Sequence, residues 1–230
     1  MSKKKQSQAD HGVENVEQAL SRIEQYIEDN QKTISIVVGI ILGVVAIVFG
    51  FRKFYLVPTE KEAQSQIFVA EKYFAVDSFN LALNGDANYL GFIDIIDNYG
   101  ITKTANLAKY YAGISYLHLG YYDEAVEYLE SYKIKDKMLG SVALGALGDA
   151  YVELGDMEKG VTYYEKASEL SDNSFTTPLY LLRAGKVYDE LQEYDKALEA
   201  YYKIKNKFAE TEQGKSIDKY ISRSEALAGK

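Results

Sequence analysis

Three stretches of the chain repeat one another in register, and that self-similarity restricts the fold more than any other feature. LAKYYAGISYLHLGYYDEAVEYLESY (107–132) lies over VALGALGDAYVELGDMEKGVTYYEKA (142–167), and LYLLRAGKVYDELQEYDKALEAYYKI (179–204) supplies a third copy. Gly113, Gly148 and Gly185 correspond, as do Tyr116, Tyr151 and Tyr188, then Ala125, Gly160 and Ala197. The offsets are 35 and 37 residues, close to the roughly 34-residue period of one class of paired-helix repeat. Each copy reads as two helices, A and B. The glycine lets B approach A closely, the tyrosine packs three residues on along the same helix, and the second small residue sits where B crosses A. Gly120 and Gly155 close their A helices in left-handed geometry. Asp123 and Asp195 place acid at the positive ends of B helices. Thr177-Pro178 reads as an N-cap followed by proline in the first helical turn.

These residues resemble tetratricopeptide repeats over about 103–207. The copies depart from that pattern in two ways. Lys109, Leu144 and Leu181 stand at the usual tryptophan-class position, and the proline that closes each B helix is missing. Upstream, EKYFAVDSFNLALNG (71–85) reads as a degenerate hairpin with Tyr73 and Ala82 in repeat-like places, followed by an extra helix, ANYLGFIDIIDNYG (87–100). Residues 58–100 therefore form a degenerate repeat plus a helix, and 213–227 form one polar capping helix that hides the last apolar face of the stack. Only two prolines occur, Pro58 and Pro178, and both fall outside the long periodic segments.

A second constraint lies nearer the N-terminus. Thr33 to Phe51, TISIVVGIILGVVAIVFGF, has no charged residue in 19 positions, enough helix to cross the roughly 30 Å hydrocarbon core of a bilayer. Lys32 borders one end, and Arg52, Lys53, Phe54 and Tyr55 border the other. A cleaved signal peptide would have a shorter apolar run, close to the start and ending in small residues. Here 32 residues precede the run and bulky aromatics follow it, so a retained anchor over 33–51 is expected. Gly39 and Gly43 form a small-residue pair, read either as a helix–helix contact in the membrane or as ordinary membrane-helix composition. Lysine and arginine counts on the two flanks do not fix the orientation. Residues 1–12 read as a disordered tail. Residues 13–32 read as an amphipathic helix with Val13, Val16, Leu20, Ile23 and Ile27 on one face.

The composition excludes some functions. Thirty-four acidic against 26 basic side chains give a net charge of −8, the wrong sign for phosphate binding, so no nucleic-acid partner is expected. The absence of cysteine removes disulfides, thiolate metal sites and lipoprotein anchoring. The two histidines, His11 and His118, join no nucleophile or acid set, so no catalytic, cofactor or metal residue is assigned. A protein-binding groove is the candidate site instead. Its helix-A lining is Leu107, Tyr110, Ile114, Leu117, His118, Val142, Asp149, Val152, Glu153, Leu179, Leu182, Lys186, Asp189 and Glu190. With one lysine among aliphatic and acidic side chains, such a wall suits an apolar or basic segment of a partner. The other reading is that the chain's own helices fill part of it.

The layout as a whole resembles the YfgM-type ancillary subunit of the SecYEG translocon. The likeness rests on VEQAL (16–20), Asn-Gln-Lys (30–32), one span, and ANLAKYYAGISYLHLGYYDEAVEYL (105–129) within a set of divergent repeats. What it implies is a bacterial inner-membrane protein with a cytoplasmic N-terminus and periplasmic repeats, whose partners are translocon subunits and a periplasmic chaperone. Two other readings stay open from the sequence: a cell-envelope scaffold for division or outer-membrane assembly, and a cytosol-facing receptor for chaperones or precursors. The expected fold is all-α, one membrane helix followed by a tetratricopeptide-type solenoid of about four hairpins and a capping helix.

Overall fold

In a computed structural model of the chain, residues 21–229 apart from 23 are described. Among them every regular element is helical. The chain divides into two compact units, residues 1–57 and 58–230.

In the first unit, residues 24–29 are helical and exposed, and the rest of the expected amphipathic seam lies outside the described residues, as does the 1–12 tail. Helix α1 (Gln31–Phe51) buries none of its side chains. Ile36, Leu42, Ile47 and Phe49 are all more than half exposed, which is the reverse of what a soluble helix does with such residues. A β-carbon at Gly39 or Gly43 would meet nothing within 4 Å. A π-helical turn, Arg52–Leu56, follows, in which Val57 N–H reaches back five residues to Arg52 O. Pro58 comes next and has no N–H to give, so the backbone register loosens where the helical ladder would otherwise lose a bond. Pro58 thus stands in the first turn of α2 (Val57–Ala75), and Pro178 stands in the first turn of the helix Thr176–Glu190, as the sequence suggests for it.

The second unit is a stack of paired helices. The short α3 (Phe79–Asn84) and α4 (Phe92–Asn98) pack against α5 (Lys103–Leu119). With α2 they enclose a core of Ile67, Ala70, Leu83, Phe92, Ile95, Ala108 and Ala112. Three hairpins follow: α5 with α6 (Tyr122–Ser131), α7 (Lys137–Glu153) with α8 (Met157–Leu170), and α9 (Thr176–Glu190) with α10 (Tyr194–Lys207). Two further helices, α11 (Glu212–Lys215) and α12 (Asp218–Leu227), close the end.

The glycine positions explain the close A–B contact. A β-carbon on Gly113 would come within 2.5 Å of the Leu129 side chain, and one on Gly148 within 2.5 Å of the Tyr164 ring. At Gly185 it would strike the Tyr201 ring. Leu129, Tyr164 and Tyr201 occupy the same place in their B helices, so each hairpin inserts one bulky side chain over one bare backbone. The A-to-B turns also repeat. Tyr116 O accepts from Tyr121 N–H, Tyr151 O from Asp156 N–H, and Tyr188 O from Glu193 N–H. Such turns need a left-handed residue just past the helix. Gly120 (φ 80°) and Gly155 (φ 84°) provide it in two copies, while Gln192 takes φ 61° in the third.

Four expectations are corrected. Residues 87–100 are helical only over Phe92–Asn98, because the Asp86 carboxylate accepts Asn88 and Tyr89 N–H groups and the Tyr73 hydroxyl, folding 86–91 as a loop. The degenerate hairpin expected over 71–85 begins well before residue 71, its arms being the long α2 and the six-residue α3. The segment 213–227 is two helices, broken at Ser216 and Ile217. Helix α9 starts at Thr176, with Asn173 Oδ1 accepting the Phe175 and Thr176 N–H groups. Thr177 is therefore inside the helix, its hydroxyl donated to Ser171 O.

Two stability measurements check this account. Gln192→Gly should raise the unfolding free energy by about 0.5–1 kcal/mol, since a left-handed non-glycine residue costs on that order or more; no rise in thermal midpoint would contradict it. Gly185→Val should lower stability by about 1–3 kcal/mol or more through overpacking against Tyr201, read by denaturant unfolding of the full chain.

Candidate protein-binding surface

The repeat-packing positions are occupied as follows. Gly113, Gly148, Gly160, Gly185, Ala125 and Ala197 are all buried at A–B crossings. Tyr116 stacks on Tyr128 (5.3 Å between centroids) and Tyr151 on Tyr163 (5.3 Å, 7° between planes). The hydroxyls of Tyr151 and Tyr188 leave their own repeat. Tyr151 donates to Glu130 on α6 at 3.0 Å, and Tyr188 donates to Glu165 on α8 at 2.5 Å. Glu130 and Glu165 are equivalent positions of successive repeats, so one bond is made twice at the joint between a B helix and the next A helix.

The predicted groove residues do not share one fate. Tyr110 and Ile114 are buried with Leu129 and Leu147, and Tyr110 rings against Tyr111 and Tyr132. Asp189 is buried, accepting the Tyr201 hydroxyl at 2.9 Å and the Ser224 hydroxyl at 2.5 Å. Tyr110 and Ile114 are withdrawn from the groove into the core, while the Asp189 carboxylate, though buried, still borders a cleft around the third repeat. Asp149 is half-buried and held by the Arg183 guanidinium and the Tyr164 hydroxyl, so its charge is largely matched within the fold. Leu107 and Leu117 are half-buried beside the same cluster as Tyr110. His118 is exposed and lies flat on the Phe79 ring at 4.5 Å. Glu153, Lys186 and Glu190 are exposed.

The exposed residues around the third repeat do form a concavity. A cleft of about 430 Å³ is lined by Val152, Met157, Lys186, Val187, Asp189, Glu190, Tyr220 and Arg223. Lys186 Nζ stands 5.2 Å from the centre of the Tyr220 ring. Tyr220 and Arg223 come from α12, and sequence reasoning missed them as site residues. Their signal was the apolar face of the capping segment, which has to rest on the last repeat. Among the described residues no cluster of His, Cys, Asp or Glu could hold a metal ion.

Burial acts strongly on the tyrosines. Desolvation pushes the Tyr110, Tyr163 and Tyr180 hydroxyls up to about 12, with Glu130 adding to the effect at Tyr163. Tyr164, Tyr188 and Tyr201 rise further, again mainly by desolvation, with Asp149, Glu165 and Asp189 as their respective acidic partners.

Comparison with known proteins agrees with this geometry. Tetratricopeptide-repeat family profiles match residues 142–174 and 180–211. Solved structures of similar fold include a crystal structure of nearly identical TPR-like repeats attributed to a Podosopora anserina kinesin light chain. It has a TM-score of 0.57 and 16% identity, covering 73% of this chain and 87% of that one. The crystal structure of MamA protein aligns at TM-score 0.51 and 17% identity, over 74% of this chain and 92% of that one. No curated protein matches the sequence. The chain carries tetratricopeptide repeats in an all-helical solenoid, the architecture of a protein–protein interaction scaffold.

A raised folded-state pKa favours the protonated tyrosine, so its contribution is complete below the unfolded value of about 10 and is lost as pH climbs through the folded one. Thermal stability should therefore fall between about pH 10 and about pH 12. Tyr110→Phe should flatten part of that decline, and a midpoint constant across this interval would refute the account.

Proposed function

We propose that the chain is a membrane-anchored scaffold whose repeats hold protein partners beside the bilayer. The observation that carries the reading is the pairing of a solenoid with a helix that hides nothing. The apolar α1 is the one candidate span among the described residues and none of its most apolar stretch is buried. Left in water, so much exposed apolar surface would drive aggregation; a bilayer removes it. The partner-binding face includes the exposed Lys186, Glu190, His118 and Glu153 and the half-buried Leu107, Leu117 and Asp149.

The finer assignment follows the layout described above. The N-terminus lies in the cytoplasm and the repeats in the periplasm of a bacterial inner membrane. The partners are translocon subunits and a periplasmic chaperone, held near the exit of the export channel. Gly39 and Gly43, open on the surface of α1, supply the close contact with another membrane helix.

Two measurements test this. A single cysteine placed near Lys230 in the cysteine-free chain should react with an impermeant thiol reagent from the periplasmic side; labelling only after lysis would place the repeats in the cytosol. Gentle detergent extraction should co-purify translocon subunits, and their absence from the eluate would remove the export assignment while leaving the anchor intact.

A further inference from the structure

A second cleft lies away from the one around the third repeat. About 780 Å³ opens where the N-terminal end of α5 meets the α6–α7 connection. Its chemistry opposes that of the chain as a whole. The protein carries 34 acids against 26 basic residues, yet this cleft is lined by Lys103, Lys109, Lys133 and Lys135 with Asp136 as its one acid. That acid is already engaged, since Asp136 Oδ1 accepts Leu139 N–H at 2.8 Å to cap α7. Glu60, reaching in from α2, is engaged too, accepting Lys103 N–H and the Thr104 hydroxyl. Among the described residues none of the four ammonium groups forms an ion pair. Both carboxylates keep their charge, and four ammonium groups against two acids leave a net positive local field.

The floor differs from the rim. Leu107, Leu139 and Tyr132 line it, and Ile101 stands 57% exposed at the edge. The shape is fixed by structure, not by chance. Asn106 on α5 donates to Lys133 O at 2.9 Å and accepts Lys133 N–H at 2.8 Å, tying the connection to the helix. The lysines are thereby carried on a braced loop, with apolar surface beneath them.

We propose that this cleft binds an acidic linear segment of a partner protein that carries one bulky apolar side chain. The apolar group covers Leu107, Tyr132 and Leu139, and flanking carboxylates meet the lysines. A volume in the usual range for a ligand pocket, an apolar floor and a charged rim is the combination such an anchor needs. The cleft around the third repeat is balanced instead, with Lys186 and Arg223 against Asp189 and Glu190, so net charge separates the two. The inference rests on the scaffold reading only in taking the ligand to be a protein segment.

The test uses the full chain in detergent micelles and a fluorescein-labelled peptide with two glutamates on each side of a single phenylalanine. Fluorescence anisotropy should show saturable binding that weakens with salt. Lys133→Glu with Lys135→Glu should weaken it about tenfold or more, as should Phe→Ala in the peptide, while Lys186→Glu in the concave cleft should leave it unchanged. Leu139→Ala provides a second, charge-neutral probe, and circular dichroism verifies that each variant folds. Equal binding by the double lysine variant overturns the proposal, as does loss of binding on Lys186→Glu alone. Displacement of the peptide by phosphatidylglycerol vesicles, with vesicle binding lost on the same double variant, also overturns it and assigns the cleft to lipid headgroups. If the unaltered chain co-purifies its partners but binds no peptide, the cleft proposal fails and the scaffold stands. Peptide binding by a chain that co-purifies nothing does the opposite.

Discussion

One steric contact governs the solenoid: a bare glycine backbone on each A helix, faced by a bulky side chain from the paired B helix. Because Gly113, Gly148 and Gly185 have no side chain, Leu129, Tyr164 and Tyr201 can lie directly on the backbone opposite. The two helices then share one apolar seam, and neither could bury it alone. Hairpin geometry, stacking and the joints between repeats all follow from that approach. The same contact explains why tyrosine serves so well here. Its ring fills the gap over glycine and its hydroxyl extends past the core to a carboxylate.

Those carboxylates give the acidic composition a structural meaning. Glu130 receives two tyrosine hydroxyls, from Tyr151 and Tyr163. Glu165 receives one, and Asp149 joins a tyrosine to an arginine of the following repeat. Asp189 links α9, α10 and α12. These four carboxylates fasten helices to one another, each bond to an ionised acceptor being stronger than a neutral one. The charges left over differ from one cleft to the other.

The repeats were legible in the sequence because their spacing carries the information: the glycine, the tyrosine and the left-handed turn recur at fixed offsets. Gln192 shows the limit, since its neighbours impose the turn even where the residue resists it. Parts set by single side chains were not legible. Asn173 capping a helix three residues downstream, Asp86 gathering three donors into a loop, and Pro58 followed by continued helix leave no periodic trace. The groove was legible only as a face. Helix-A periodicity puts Tyr110, Ile114 and Asp189 on one face with Lys186 and Glu190, but depth depends on what the neighbouring helices place above them. Tyr220 and Arg223 belong to a segment without repeat character, so no register could assign them.

Ser224 donates its hydroxyl to the buried Asp189, while Tyr220 and Arg223 on the same short helix wall the concave cleft. The terminal helix is therefore both a plug and a jaw. Any guest that grips the jaw also tightens the plug, so occupancy there and resistance to fraying at the solenoid's tip are one coupled equilibrium. Conversely, a chain loosened at that tip loses the wall before it loses the repeats.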